Sequence, residues 1–285
     1  MNASSKVDSK EVGLVAGLNL FHFFLGTRDL HYGFWEEGLD VEIRNLPVAQ
    51  HRYSEFLLSH IPTDVKRILD VGCGAGGVAS ELIKRGYEVE GVSPSPLLSE
   101  AAQEQAGEQF RIHQGMFESV DLDPAKPFDL VMFSESFQYI DLKVVLKKAT
   151  TLLKPGGHIL ICDFFKTNAP GKSVIGGGHP IDRFMSTLDA SGLECLIDKD
   201  ITKETAPNLD IVNDMGRDLF LPTFKLIGYA FSQNHPWLSK LFTWKYRKKI
   251  EKVRYKYVSG ERNGRSFSLH KTYRLFLLKS PEMET

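Results

Sequence analysis

Three observations predict an α/β protein built on a doubly wound parallel sheet. The apolar run Ile68–Val71 leads through Gly72, Gly74, Gly76 and Gly77 into apolar positions at Val78, Leu82 and Ile83, so the glycines fall on a strand-to-helix turn. Further β-rich runs at 87–92, 128–133 and 158–161 alternate with helix patterns at 97–106, 142–153 and 181–191. A last apolar run, Thr272–Leu278, reads as one more strand beyond a stretch of different composition.

In chain order, residues 12–25 form the longest apolar run, 14 residues against the roughly 20 that a membrane span needs. The mixed charges of Lys6, Asp8, Lys10 and Glu11 and the lack of a small-residue cleavage site argue against a signal peptide. This run is expected to be an amphipathic or buried helix covering the mouth of the site. The aromatic segment His31–Glu37 and an amphipathic helix ending at Leu58 come next. Residues 169–180, with Gly176, Gly177 and Gly178, are the clearest flexible loop, either a lid or a plain connection. Residues 205–265 carry many aromatics, and between 240 and 265 ten Lys or Arg stand against Glu251 and Glu261. That mixture suits a membrane interface or an anionic amphiphile, or else a helical cap with its aromatics packed inside. The expected layout is an N-terminal helical cover (1–60), a core (61–204), an aromatic and basic cap insertion (205–265), and the last strand with a tail (266–285).

The chain has 285 residues, 42% hydrophobic, with 35 Lys or Arg against 36 Asp or Glu, enough for one core with an insertion and too neutral for a nucleic-acid-gripping surface. Cys73, Cys162 and Cys195 have no paired spacing, so neither a disulfide framework nor a metal site is indicated, and a reducing, cytoplasmic setting is the natural one. No obligate protein partner is evident. Peripheral contact with a membrane stays open.

Gly72, Gly74 and Gly77 satisfy the dinucleotide spacing G-x-G-x-x-G, which calls for an acid at the end of the next strand. Here that strand ends in Ser93, and the nearest carboxylate, Glu90, lies inside it. The string Leu69-Asp-Val-Gly-Cys-Gly-Ala-Gly instead closely resembles motif I of the class I S-adenosylmethionine-dependent methyltransferases. Phe128–Phe133 followed by Ser134-Glu-Ser-Phe-Gln-Tyr139, and Leu152-Leu-Lys-Pro-Gly-Gly-His-Ile159, resemble that family's fourth strand and its helix, Pro-Gly-Gly turn and fifth strand. The resemblance covers roughly residues 40–200 and the last strand, and implies a Rossmann-like seven-stranded sheet. Gly91-Val-Ser-Pro-Ser-Pro96, the segment His31–Glu37 and Glu135–Tyr139 resemble the sterol, tocopherol and cyclopropane lipid branch.

That likeness implies S-adenosylmethionine as methyl donor, with S-adenosylhomocysteine as product, and a small hydrophobic or amphiphilic acceptor. An N- or O-methyltransferase of polar small molecules or natural products is the alternative. A silent cofactor-binding module and an NAD-dependent oxidoreductase stay open. By the same resemblance, Asp70, Gly72, Cys73 and Gly74 would hold the methionine and ribose side, Ser93 and Pro94 would replace an acidic ribose ligand, and Met116 and Phe117 would flank the adenine. Ser134 and Glu135 would face cofactor and acceptor, while Tyr32 and Trp35 would offer π faces to a cationic centre. Glu135, Tyr139 and His179 are the candidate bases, with Tyr32 beside them.

Overall fold

The computed structural model describes residues 9–171, 173–258 and 260–282, so Lys6, Asp8 and Lys172 lie outside it. Seven strands form one sheet in the order β3-β2-β1-β4-β5-β7-β6. They are β1 Arg67–Val71, β2 Glu88–Ser93, β3 Arg111–Gln114, β4 Phe128–Ser134, β5 Leu153–Lys166, β6 Glu194–Asp200 and β7 Lys271–Lys279. The pairs among β1 to β5 are parallel, and β7 runs antiparallel between β5 and β6. The strand order reverses between β1 and β4, which opens a crevice at their carboxyl ends.

Side-chain alternation divides the core into two layers. Ile68, Leu130, Met132, Leu160, Cys162, Tyr273, Leu275 and Leu277 pack on one face against α2 (Leu46–Leu58) and α3 (Gly77–Lys84). Leu69, Val71, Val131, Phe133, Ile161, Phe165, Phe276 and Leu278 pack on the other against α5 (Leu142–Leu152) and α6 (Ile181–Asp189). The helix α4 (Pro96–Ala106) starts where Ser95 Oγ accepts from the Leu98 amide at 3.1 Å, with proline in its first turn. Asp141 caps α5 by accepting from the Lys143 amide at 3.0 Å.

The Pro-Gly-Gly segment lies inside β5 rather than in a turn before it. Leu153 already pairs with Phe128, and Gly156, at φ +72°, takes up the register shift before Leu130 pairs with His158.

The apolar run near the start forms α1 (Ser9–Leu25), which is neither buried nor cleanly amphipathic. Leu18 packs on Ala75 and Leu98, while Phe23 is 82% exposed and Phe24 71%. Residues 201–270 are largely helical, as α7 (Thr202–Thr205), α8 (Pro207–Asp214), a π-helical segment (Met215–Phe220), α9 (Leu221–Asn234), α10 (Pro236–Val258) and α11 (Gly264–His270). Ile201, Leu209 and Phe267 join the core, whereas α9 has no buried residue and leaves Phe224, Tyr229 and Phe231 exposed. Trp237, Phe242, Trp244 and Tyr255 of α10 are exposed too, so these aromatics form no internal core of a cap. The side chains of Lys252, Arg254, Lys256 and Tyr257 lie outside the description.

Phe184 closes the α6 side, with its ring 4.8 Å from both Phe165 and Phe276 and 5.6 Å from Phe137. Phe184→Ala should lower the unfolding free energy by about 3–5 kcal/mol, read from urea denaturation; a loss under about 1 kcal/mol would mean that the layer closes over the cavity.

Candidate functional site at the carboxyl ends of the strands

The glycine loop follows β1 at the crevice. Gly72, Gly74 and Gly76 have φ of +79°, +54° and +84°, in the region where a side chain is strained. A Cβ at Gly72 would also lie 2.5 Å from the Cβ of Ser136, whose hydroxyl donates to the Val71 carbonyl. Asp70, at the end of β1, is 2% exposed, and its Oδ2 has no hydrogen-bond partner. Burial pushes this carboxyl up to about 7. An orphaned acceptor beside a loop of left-handed glycines is a site short of a donor-bearing ligand, and an adenosyl cofactor with an ammonium and ribose hydroxyls supplies such donors. Burial, and then the charge of Asp70, raise the Cys73 thiol, so it stays protonated and is no nucleophile.

Glu90 leaves no room for the dinucleotide alternative. Its side chain bonds to Arg67 and lies 2.5 Å from His113 Nε2, so it is committed within the sheet. Ser93 turns toward its own chain, accepting from the Ser95 amide at 3.3 Å, and Pro94 beside it is exposed.

The cover lies over this loop. Asp29 Oδ1 occupies the place of a Cβ at Gly77, and Gln50 Nε2 donates to the Asp29 and His31 carbonyls at 3.0 and 2.9 Å. The Gly33 amide donates to Asn208 Oδ1 at 2.8 Å, and Asn208 Nδ2 returns a bond to the Gly33 carbonyl at 2.7 Å. A cavity of about 460 Å³ adjoins the loop at Asp29 and Gln105, and another of about 510 Å³ opens between Trp35 and the end of β6, off the glycine loop.

Glu135 follows β4 at φ +57°, the one non-glycine in the left-handed region among the described residues. Its Oε1 accepts from the Tyr32 amide at 2.7 Å and from the Tyr273 hydroxyl at 2.8 Å. Tyr273 continues to the Tyr53 hydroxyl at 3.0 Å, and Tyr53 to Ser134 Oγ at 3.1 Å. His31 stacks on Tyr53 at 4.7 Å. Burial pushes Glu135 up to about 8, against those two hydrogen bonds, and holds the Tyr53 and Tyr273 phenols well above their usual range. The Tyr32 ring faces Phe164, Phe267 and Tyr273 at 6.4, 6.2 and 5.9 Å, an aromatic wall beside Glu135.

Other sequence candidates fall elsewhere. Trp35 packs with Leu46, Ala49 and Ile211, in a cluster separate from the one Tyr32 joins, and its amide donates to the Glu204 carbonyl at 2.8 Å. Phe117 is a core residue, edge-on to Phe133 at 5.6 Å with Lys148 Nζ 5.3 Å above its ring, while Met116 is half exposed. His179 Nε2 lies 3.2 Å from the Phe137 carbonyl, its ring edge-on to Phe137, and burial lowers its imidazole, so the half-buried side chain is engaged with the loop at 137. Tyr139 is 73% exposed at the rim.

Sequence reading missed Tyr53, Ser136, Asp163 and Tyr273. Asp163 is fully buried and accepts from Gln138 Nε2 and from the Gln138 and Phe164 amides at 3.0, 3.0 and 2.8 Å. Burial pushes it up to about 7. A charged residue in the middle of the apolar strand 158–166 was the available signal.

A methyltransferase domain family model matches residues 45–196. The chain is 26% identical over 235 residues to methyltransferase GfsG of Streptomyces halstedii, covering 73% of this chain and 80% of that protein. It is 28% identical over 204 residues to 27-O-demethylrifamycin SV methyltransferase of Amycolatopsis mediterranei, covering 65% and 73%. The fold superposes with a TM-score of 0.66 on geranyl diphosphate C-methyltransferase from Streptomyces coelicolor, at 16% identity over 96% of this chain and 99% of that one.

An unfolded glutamate ionises near 4.5, and folded Glu135 near 8. Between those values the folded chain keeps a proton the unfolded chain has lost, so the contribution is full below 4.5 and fades as pH rises toward 8. Asp70 and Asp163 act in the same direction toward 7. Glu135→Gln should therefore gain stability relative to wild type as pH rises from 5 to 9, in chemical denaturation at stepped pH. A gap constant with pH would show that Glu135 titrates like a surface carboxylate.

Proposed function

The chain belongs to the class I S-adenosylmethionine-dependent methyltransferases and acts on small molecules, and from that premise we propose that its acceptor is hydrophobic or amphiphilic, with Glu135 as the proton-accepting base. The observation that carries this reading is the ring wall of Tyr32, Phe164, Phe267 and Tyr273 beside the carboxyl of Glu135.

Bound S-adenosylmethionine supplies an electrophilic methyl group on a sulfonium sulfur. The chain's task is alignment and exclusion of water. Asp70 Oδ2, the Gly72–Gly74 backbone and Ser93 are the groups for the methionine and ribose end, with Met116 at the adenine side. Tyr32 is fixed at its backbone by Glu135, so closing the cover and orienting the base are one event. Glu135 Oε1 is occupied by Tyr32 and Tyr273, which leaves Oε2, unbonded among the described residues, for the acceptor's proton. A carboxyl titrating near 8 is matched to that task close to neutral pH. Tyr273 donates to Glu135 and stabilises its charged form.

We further infer that the exposed aromatic and basic surface of α9 and α10 makes peripheral contact with an anionic membrane, from which an amphiphilic acceptor would be drawn. Trp237, Trp244 and Tyr246 are exposed alongside Lys240, Lys245 and Arg247. No helix among the described residues is long and apolar enough to cross a membrane.

Asp70→Ala should lose S-adenosylhomocysteine binding by about 100-fold or more in calorimetry, as expected of a buried charged partner. Glu135→Gln should keep that binding and lose labelled-methyl turnover by about 10²–10⁴-fold. Near-normal affinity in the first, or lost affinity in the second, would overturn the respective role. A Trp237→Ala/Trp244→Ala double variant should bind phosphatidylglycerol vesicles about tenfold more weakly in sedimentation, wild-type binding should fall as salt rises, and equal binding by both proteins would remove the membrane contact.

A further inference from the structure

Lys271 opens β7 on the sheet face that carries Tyr273, and it is 1% exposed. Its Nζ donates to the Gly177 carbonyl at 2.6 Å and lies 5.3 Å from the centroid of the Phe164 ring. It forms no ion pair with any described residue. Its strand partner across the β5–β7 pair is Lys166, which adds like charge. Burial and Lys166 lower its ammonium to about 8, and Asp163, the negative group that pulls the other way, is taken up by Gln138 and the Phe164 amide. A buried ammonium with no counter-charge is costly unless a partner arrives.

The position of that charge gives the partner a location. Phe164, under the ammonium, also faces Tyr32 in the ring wall beside Glu135. The present acceptor of the Lys271 bond belongs to a loop in which Gly177 and Gly178 both have φ of +77°. That loop is itself held by Gln138, which accepts from the Gly178 amide at 3.1 Å. The Gly177 carbonyl thus stands where an anionic oxygen of a ligand lying against the ring wall would be received.

We propose that Lys271 is the specificity-determining residue that anchors an anionic oxygen, such as a carboxylate or phenolate, on an otherwise apolar acceptor, and that this oxygen replaces the Gly177 carbonyl. The proposal rests on the reading of the ring wall beside Glu135 as the acceptor site. It makes the acceptor an organic acid with an apolar body. A lysine serving only to clamp the glycine loop would show no preference between an acid and its uncharged analogue.

The test uses the full chain saturated with S-adenosylhomocysteine, titrated calorimetrically with 2-naphthoate and with 2-naphthalenemethanol. Wild type should bind the acid about tenfold more tightly than the alcohol, the difference expected from one charge-assisted hydrogen bond. Lys271→Met should bring the two affinities within about twofold by weakening the acid alone, and Lys271→Arg should keep the preference. Equal binding of both probes by wild type, or a preference kept by Lys271→Met, would overturn the role of Lys271 and leave the acceptor-site reading intact. Binding of neither probe to a wild-type chain that holds S-adenosylhomocysteine would overturn the acceptor-site reading and this inference with it. Should Lys271→Met fail to fold, the Lys271 Nζ NMR resonance of wild type decides: a shift with 2-naphthoate and none with the alcohol supports the anchor, and no shift with either removes it.

Discussion

One carboxylate oxygen holds the site together. Glu135 Oε1 receives the Tyr32 amide from 103 residues earlier and the Tyr273 hydroxyl from 138 residues later. The cover, the end of β4 and the antiparallel strand meet at that atom. A residue in the left-handed region is tolerated there because the backbone is fixed as well, with the Glu135 amide bonded to the Cys162 carbonyl at 2.9 Å. The aromatic wall follows, since Tyr32 cannot face Phe164 and Phe267 unless its backbone is held.

The same arrangement explains why the polar groups are so deeply sunk. Glu135, Tyr273, Tyr53 and Ser134 form a line of hydroxyls and one carboxyl passing behind the rings. Each partner satisfies the next, so the line needs no water to complete it. On the cofactor side the design differs. Asp70 keeps one oxygen without a partner, and the cost of burying it is offset only when a ligand brings donors.

The sheet was legible in the sequence because parallel strands buried on both faces are nearly continuous apolar runs, and because left-handed turns select glycine. The loop at 72–77 and β4 were readable on those grounds, and the antiparallel β7 was readable because it too is a nearly continuous buried apolar run. The surroundings of Glu135 were only partly legible. Glu135 lies beside a strand that names it, but Tyr53 and Tyr273 belong to a helix and a strand whose local patterns say only that they are buried. Their meeting depends on contacts across 220 residues, which no local periodicity carries. His179 and Phe117 have neighbours that residue type alone does not announce, the Phe137 carbonyl and the Phe133 ring. The aromatics of 220–258 suited either a membrane interface or a packed cap, and Phe224, Tyr229, Phe231, Trp237, Phe242 and Trp244 prove exposed on α9 and α10.

The position of β7 has a consequence for synthesis. Tyr273 lies in the last strand, inserted antiparallel between β5 and β6, both made earlier. Until that strand leaves the ribosome, β5 and β6 have open edges, Glu135 lacks its hydroxyl donor, and the ring wall lacks Tyr273. A nascent chain can therefore assemble the glycine loop long before it can complete the contacts of Glu135. The order of translation separates these two regions of the crevice in time, and a chain released early would have the glycine loop without the hydroxyl that holds Glu135.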